Sequence, residues 1–296
     1  MTDADIPVTR YIQKNALEWL ARSQGVTPWP WQPRLTGHAA HILRHDPGGS
    51  FVAEIDGLPV GFSQSLIRGD IWFLSQLFVQ PEAHGVDAGR LLLDRAIEYA
   101  REKRARIVSV VASPSFVAQS LYMRAGMFAR GIGYRVSGDP KALLALPAPD
   151  AARKRIVDCS GWIERIGDLT REVFGDARLQ DHEFWLSGNA TPSGNTSLGL
   201  VRGSDFLGYA YADRSGGIGP VAAYDAADQL PLLRMAGEWL VEQGVEEAFT
   251  WAISLNPTVM GALLECGWRA DGSTFFMTSE PFGDFTRYAP SGGLML

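Results

Sequence analysis

The run His84-Gly85-Val86-Asp87-Ala88-Gly89-Arg90 sets two glycines and a cation between a β-rich segment and a helix-forming one. A turn of this kind presents main-chain N–H groups at the positive end of a helix, where phosphate groups are held. Gly85 and Gly89 lack Cβ atoms, so a pyrophosphate can approach the backbone, and Arg90 adds charge. An ordinary strand-to-helix turn would use the same glycines. Neither G-x-x-x-x-G-K-[ST] nor G-x-G-x-x-G occurs here, which sets aside a Walker loop and a dinucleotide fingerprint. His38, His41 and His45 fall at i, i+3 and i+7, but no paired Cys or carboxylate pattern accompanies them, and no metal is expected. Trp29 and Trp31 in Pro28-Trp-Pro-Trp-Gln-Pro suit either a loop anchor or an aromatic wall for an amine.

The segments around this loop read as an α/β layer. Residues 11–22 and 35–44 have helical patterning, and residues 51–55 and 60–66 flank Asp56-Gly57, a strong hairpin signal. Residues 71–79 are apolar enough for a central strand ending at Pro81. The helix after the loop places Leu92, Ala96 and Tyr99 on one stripe, and residues 107–111 read as the next buried strand. Ser113 and Ser115 beside Pro114 supply cap chemistry for a short helix stopped by Gly126. The same order returns in the second half. Leu91, Ser113 and Gly126 match Leu232, Ser254 and Gly267 at a constant offset of 141, and Gly61-Phe62 matches Gly208-Tyr209 at 147. The chain is thus read as two copies of one unit, divided near Pro149 into residues 1–147 and 148–296.

Residues 77–93, Leu-Phe-Val-Gln-Pro-Glu-Ala-His-Gly-Val-Asp-Ala-Gly-Arg-Leu-Leu-Leu, resemble the strand, pyrophosphate loop and helix of the GNAT superfamily of N-acetyltransferases. Gly89 fits the last position of the family pattern [Q/R]-x-x-G-x-[G/A]; His84 stands for Gln or Arg, and Asp87 for the first glycine. Ser115-x-x-Ala118-x-x-x-Tyr122-x-x-x-Gly126 resembles the family's segment beside the pantetheine arm, with Ser115 replacing the usual Asn. The resemblance implies an α/β fold: two tandem GNAT-like acyl-CoA N-acyltransferase domains, each a mixed, mostly antiparallel sheet flanked by helices. It also implies acetyl-CoA as co-substrate. Leu77, Phe78, Val79, His84, Gly85, Val86, Asp87, Ala88, Gly89, Arg90, Ser115, Ala118 and Tyr122 would hold it. Asp87 would then have to point to solvent or cap the helix, because its charge opposes a pyrophosphate.

Acetyl transfer from a thioester to an amine needs a neutral amine, stabilisation of the thioester oxygen and a proton for the departing thiolate. Tyr122 would give that proton, since a phenol with a pKa of about 10 is protonated at neutral pH. Main-chain N–H groups near Phe78 would stabilise the oxyanion if the family's splayed strand carries over. Some relatives carry a carboxylate base on this strand, eleven residues before the first loop-motif position, where Phe73 stands here. A water chain or an amine already neutral would then have to serve. The expected reaction is direct attack of a primary amine, on a small molecule or a protein, upon the thioester. The alternative is a non-catalytic acyl-CoA-binding sensor or scaffold. In the second copy the loop positions read Asp225-Ala-Ala-Asp-Gln-Leu and Leu263 replaces Tyr122, so one acetyl-CoA site is expected, in the first domain.

Composition bounds the partners. The 296 residues carry a formal charge of −6, which argues against a nucleic-acid binder. The two cysteines, Cys159 and Cys266, make no C-x-x-C, and no apolar run is long enough for a membrane span, so a cytoplasmic monomer or homodimer is expected. Up to Leu146 sixteen Lys and Arg face thirteen Asp and Glu, a charge of +3; beyond it eleven face twenty, −9. A mildly basic first domain suits an anionic co-substrate, and an acidic neighbour either attracts a cationic amine or is simply well solvated.

Overall fold

The computed structural model describes residues 1–25, 35–150, 154–188, 194–293 and 295. It holds two compact units, Met1–Phe128 with Met277–Glu280, and Ala129–Phe276 with Pro281–Leu296.

In the first unit, α1 (Ile6–Ser23) and α2 (Leu35–His45) precede a hairpin of β1 (Ser50–Ile55) and β2 (Leu58–Arg68). Its turn is Asp56-Gly57, with φ of 50° and 76°, the left-handed pair that a two-residue turn between twisted strands requires. β3 (Ile71–Val79) runs antiparallel to β2. From its end α3 (Ala88–Glu102) returns the chain to β4 (Ile107–Ala112), parallel to β3, and α4 (Phe116–Arg124) follows. The apolar stripe of α3 buries Leu92, Leu93, Ala96, Tyr99 and Ala100. Leu77 and Val79 of β3 approach Gly89 of α3, whereas Gln64 and Gln76 reach the opposite face, toward α2 and α1.

Two irregularities shape the sheet. Opposite β2 the register slips between Leu74, which faces Ser65, and Gln76, which faces Gln64, so Ser75 is a bulge. β3 and β4 pair only from Ile71–Ile107 to Leu74–Val110, and residues 75–79 have no β4 partner. Near the other end, Asp46 locks three segments together. Its Oδ1 accepts from Ile67 N (3.0 Å) and Tyr99 OH (3.1 Å), and its Oδ2 from Arg68 Nη1 (2.8 Å).

The second unit repeats the succession. β5 (Phe128–Gly138) and β6 (Lys154–Val157) lead to α5 (Ile163–Phe174) and α6 (Leu179–Leu186). Then come β7 (Asn195–Arg202), β8 (Asp205–Asp213), β9 (Gly217–Ala223), α7 (Gln229–Glu242), β10 (Ala248–Ile253), α8 (Pro257–Glu265), β11 (Arg269–Thr278) and β12 (Tyr288–Ala289). β9 and β10 are parallel and pair over two positions, Gly217–Phe249 and Ile218–Thr250. β12 extends the carboxyl-terminal segment onto β9.

The units divide at Phe128 rather than near Pro149, where the sequence reading placed the boundary. Residues 129–138 run along β10, with Gly138 opposite Ala248 and Gly133 opposite Ile253. Leu143 and Leu146 join the apolar core around Leu232, Leu233 and Ala236 of α7, and Trp268 Nε1 donates to the Asp139 carbonyl at 3.2 Å. Conversely, Ser279 belongs with the first unit, exchanging hydrogen bonds with the main chain of Val108. A linker-like composition marks low periodicity; it does not say with which core a strand will pair.

A closed polar cluster lies inside the second unit. Thr170 Oγ1 meets His182 Nε2 at 2.9 Å and Tyr209 OH at 2.7 Å, and His182 Nδ1 meets Tyr211 OH at 3.1 Å. Burial, aided by the positive charge of Arg178, pushes the His182 imidazole down to about 3.

Two outcomes follow from these buried groups. Asp46→Ala removes the buried carboxylate shared by Ile67, Arg68 and Tyr99 and is expected to cost about 3–5 kcal/mol in denaturant unfolding. Below its ordinary pKa of 6.5 the unfolded His182 takes up a proton that the folded one refuses until about 3. Stability present above 6.5 therefore falls through that window, by up to about 1.4 kcal/mol per pH unit, and His182→Gln should flatten the slope in pH-dependent unfolding.

Candidate active site

The loop between β3 and α3 begins with a 3-10 turn, Pro81–Ala83, and continues through exposed residues His84 to Asp87. Gly85 has φ of +88° and Asp87 of +60°, so the chain turns twice through the left-handed region. A Cβ at Gly85 would meet nothing; conformation alone favours glycine there. At Gly89 a Cβ would touch only Val79 and Leu77 at 3.7 and 3.9 Å, so internal packing does not demand the glycine. The first helical hydrogen bond is Leu91 N to Asp87 O, 3.0 Å. The N–H groups of residues 85–90 have no acceptor among the described residues, leaving a row of donors at the helix start.

Asp87 is the N-cap residue but makes no capping bond. Its carboxylate is exposed and pairs with Arg90 Nη2 at 3.1 Å, while Arg90 Nη1 pairs with Asp94 at 3.2 Å. Arg90 is thus held by two carboxylates, Asp87 first among the groups that raise its pKa. Exposed pairs of this kind are weak, so they leave Arg90 free to exchange partners. The ring of His84 stands edge-on to Trp19 of α1, centroids 4.8 Å apart.

At the amino end of α4, Ser115 Oγ accepts from Ala118 N at 3.4 Å and serves as the N-cap. Tyr122 is the buried residue of this helix, 5% exposed, and its hydroxyl has no hydrogen-bond partner among the described residues. Burial raises its phenol above the ordinary value, so the neutral, proton-bearing form is the one present. Phe73, at the position where some relatives carry a carboxylate, is 1% exposed and pairs with Ser109 of β4.

The opposite face of β3 carries a polar chain that belongs to none of the sequence motifs above. Arg10 of α1 donates from Nη1 to Gln13 and from Nη2 to Gln76, both at 2.7 Å. Gln76 Nε2 donates to Gln64 Oε1 at 2.8 Å, and Gln64 Nε2 to the Ala39 carbonyl at 3.1 Å. Further along, Asn15 of α1 bonds Gln80 at 3.2 Å, and Gln24 bonds the Pro114 carbonyl at 3.0 Å. α1 thus follows the unpaired part of β3 to its end. The available signal was two glutamines inside otherwise apolar strand runs. Trp29 and Trp31 lie outside the described residues. The rings of His41 and His45 lie tilted with centroids 4.6 Å apart, and no group of His, Cys, Asp and Glu fit to hold a metal occurs among the described residues.

The second unit differs at each matching point. Asp225 Oδ1 accepts from Ala227 N at 2.9 Å, so an internal carboxylate occupies one of the loop donors. Leu263, buried, stands where Tyr122 does in the first copy. Tyr209 and Tyr211 fill the helix-facing side of β8, bonded to Thr170 and His182.

Residues 14–127 match the model of the acetyltransferase (GNAT) family. An uncharacterized N-acetyltransferase of Methanocaldococcus jannaschii is 32% identical over 76 residues, 23% of this chain and 34% of that protein. Another, from Archaeoglobus fulgidus, is 33% identical over 89 residues, 27% of this chain and 60% of its own length. The chain thus spans less than two thirds of either relative. Among solved structures, a putative acetyltransferase from Pyrococcus horikoshii superposes with a TM-score of 0.77 at 15% identity, covering 100% of this chain and 94% of that one. A tandem GNAT protein from the clavulanic acid biosynthesis pathway gives 0.57 at 18% identity, over 94% and 96%. At such identities these likenesses speak for the fold, across both units. No helix among the described residues is long and apolar enough to cross a membrane. Through residues 14–127 this chain is similar to the GNAT family of acetyltransferases, in a fold that its second unit repeats.

Proposed function

We propose that the protein is an acetyl-CoA-dependent N-acetyltransferase whose one working site lies in the first unit. The observation that carries this reading is the row of unpartnered N–H groups at residues 85–90, set at the end of a strand whose last five residues lack a β4 partner. The loop would hold the diphosphate, with His84, Val86 and Ala88 contributing backbone and Gly89 a close approach. Leu77, Phe78 and Val79 would lie along the pantetheine arm, and Ser115 and Ala118 would border it from α4. The thioester supplies the acetyl group. Main-chain N–H groups between Ser75 and Val79 would stabilise the oxygen as a primary amine attacks the carbonyl carbon, and Tyr122 would protonate the departing thiolate. Its hydroxyl, bonded to no described residue, supports that role over a purely packing one.

Phe73 at the base position favours a second reading, an acyl-CoA-binding protein without transfer. Both readings require acetyl-CoA binding by calorimetry; turnover separates them. With an amine panel and CoA release as readout, Tyr122→Phe is expected to lower kcat about a hundredfold or more and leave acetyl-CoA affinity within about twofold. Unchanged turnover would remove Tyr122 from the acid role, and no turnover with any amine would leave the binding reading.

A further inference from the structure

Three arginines are buried among the described residues: Arg10, Arg68 and Arg178. Arg68 meets Asp46 at 2.8 Å and Arg178 meets Asp181 at 3.0 Å, as buried cations ordinarily do. Arg10, 6% exposed, has no carboxylate; its partners are the amide oxygens of Gln13 and Gln76, and its buried Nε has none. Residues 26–34, 151–153, 189–193, 294 and 296, the remainder of the chain, contain no Asp or Glu that could serve. Among the described residues two of the guanidinium's five N–H donors are used, and the buried Nε–H has no acceptor. Burial lowers its pKa to about 10, which still leaves it charged near neutrality.

The location says what the missing anion belongs to. Gln76 lies on the part of β3 that has no β4 partner, and its side-chain oxygen accepts from the guanidinium at 2.7 Å. Leu77 and Val79 face α3 and its phosphate-binding loop, while Gln76 faces α1. Arg10 also lies 5.4 Å from the ring of Phe62, which contacts Phe78 on the same face. An anion on the α3 side, such as a diphosphate, is across the sheet from it. A group entering beside α1, toward the thioester, is not.

Resting on the transferase reading above, we propose that Arg10 recognises a carboxylate on the acceptor, so that the substrate is an amine that also bears an acid. Gln13 and Gln76 position the guanidinium fork, and the incoming carboxylate supplies the acceptor atoms and the counter-charge that the chain withholds.

The test uses the full chain and matched pairs of amines: glycine and glycinamide, β-alanine and its amide, γ-aminobutyrate and its amide. CoA release is followed in wild type, Arg10→Gln and Arg10→Lys, with acetyl-CoA affinity measured by calorimetry in each. Expected are a preference of about tenfold or more in kcat/KM for a carboxylate member in wild type, and a KM for it raised about ten- to hundredfold in Arg10→Gln. Its kcat, the amide members and acetyl-CoA affinity should change less than about threefold, and Arg10→Lys should recover part of the loss. Equal use of acids and amides by wild type, or an equal loss on both in Arg10→Gln, overturns the assignment and leaves a structural arginine. If Arg10→Gln does not fold by circular dichroism, the wild-type pairs and Arg10→Lys decide. If acetyl-CoA binds but no amine is turned over, melting-temperature shifts with each pair in the presence of CoA replace turnover, and equal shifts overturn it. Absence of acetyl-CoA binding removes the transferase reading itself, a distinct failure.

Discussion

The pairing of β3 with β4 stops at Leu74 and Val110, and the first unit's candidate chemistry depends on that break. Parallel strands that stay hydrogen-bonded consume their edge groups on each other. Here the ladder is held through four positions and then lost just where Ser75 bulges from the β2 register. The unpaired stretch opens toward two helices. α3 approaches from one face with its row of free N–H groups, and α1 follows the other with a buried guanidinium. Asp46, Tyr99 and Arg68 fix the strands and helices near the paired end, so the opening sits on a rigid base.

The two units show how one architecture can be kept with and without such openings. β9 and β10 also pair over a short stretch, yet the second unit bonds polar groups that have no counterpart bond in the first. Asp225 takes up a loop N–H that the first unit leaves free, and Thr170, His182, Tyr209 and Tyr211 bond one another in a closed cluster. Arg178 has Asp181, whereas Arg10 has only amides. Unsatisfied buried donors are costly in a stable fold, and among the described residues the buried side-chain donors without a partner, Arg10 Nε, Ser50 Oγ, Trp72 Nε1 and Ser75 Oγ, all lie in the first unit.

Sequence by itself determined the parts that local rules govern. The Asp56-Gly57 hairpin, the Ser115 cap, the α3 stripe and the 141-residue repeat rest on turn conformations, capping bonds and periodicity, which act over a few residues. The glycine loop was legible for the same reason, although its helix begins at Ala88 and its Arg90 is held by Asp87 and Asp94. Only the tertiary structure decided which core a strand joins and which polar groups meet. Residues 129–138 pair with β10 across more than a hundred residues of chain, and Arg10 reaches Gln76 over a separation of 66. No spacing rule encodes such encounters, because packing energy is settled between surfaces brought together by folding. The burial of Tyr122 and the unpaired charge of Arg10 are likewise properties of what surrounds them, and a sequence names the residue without naming its surroundings.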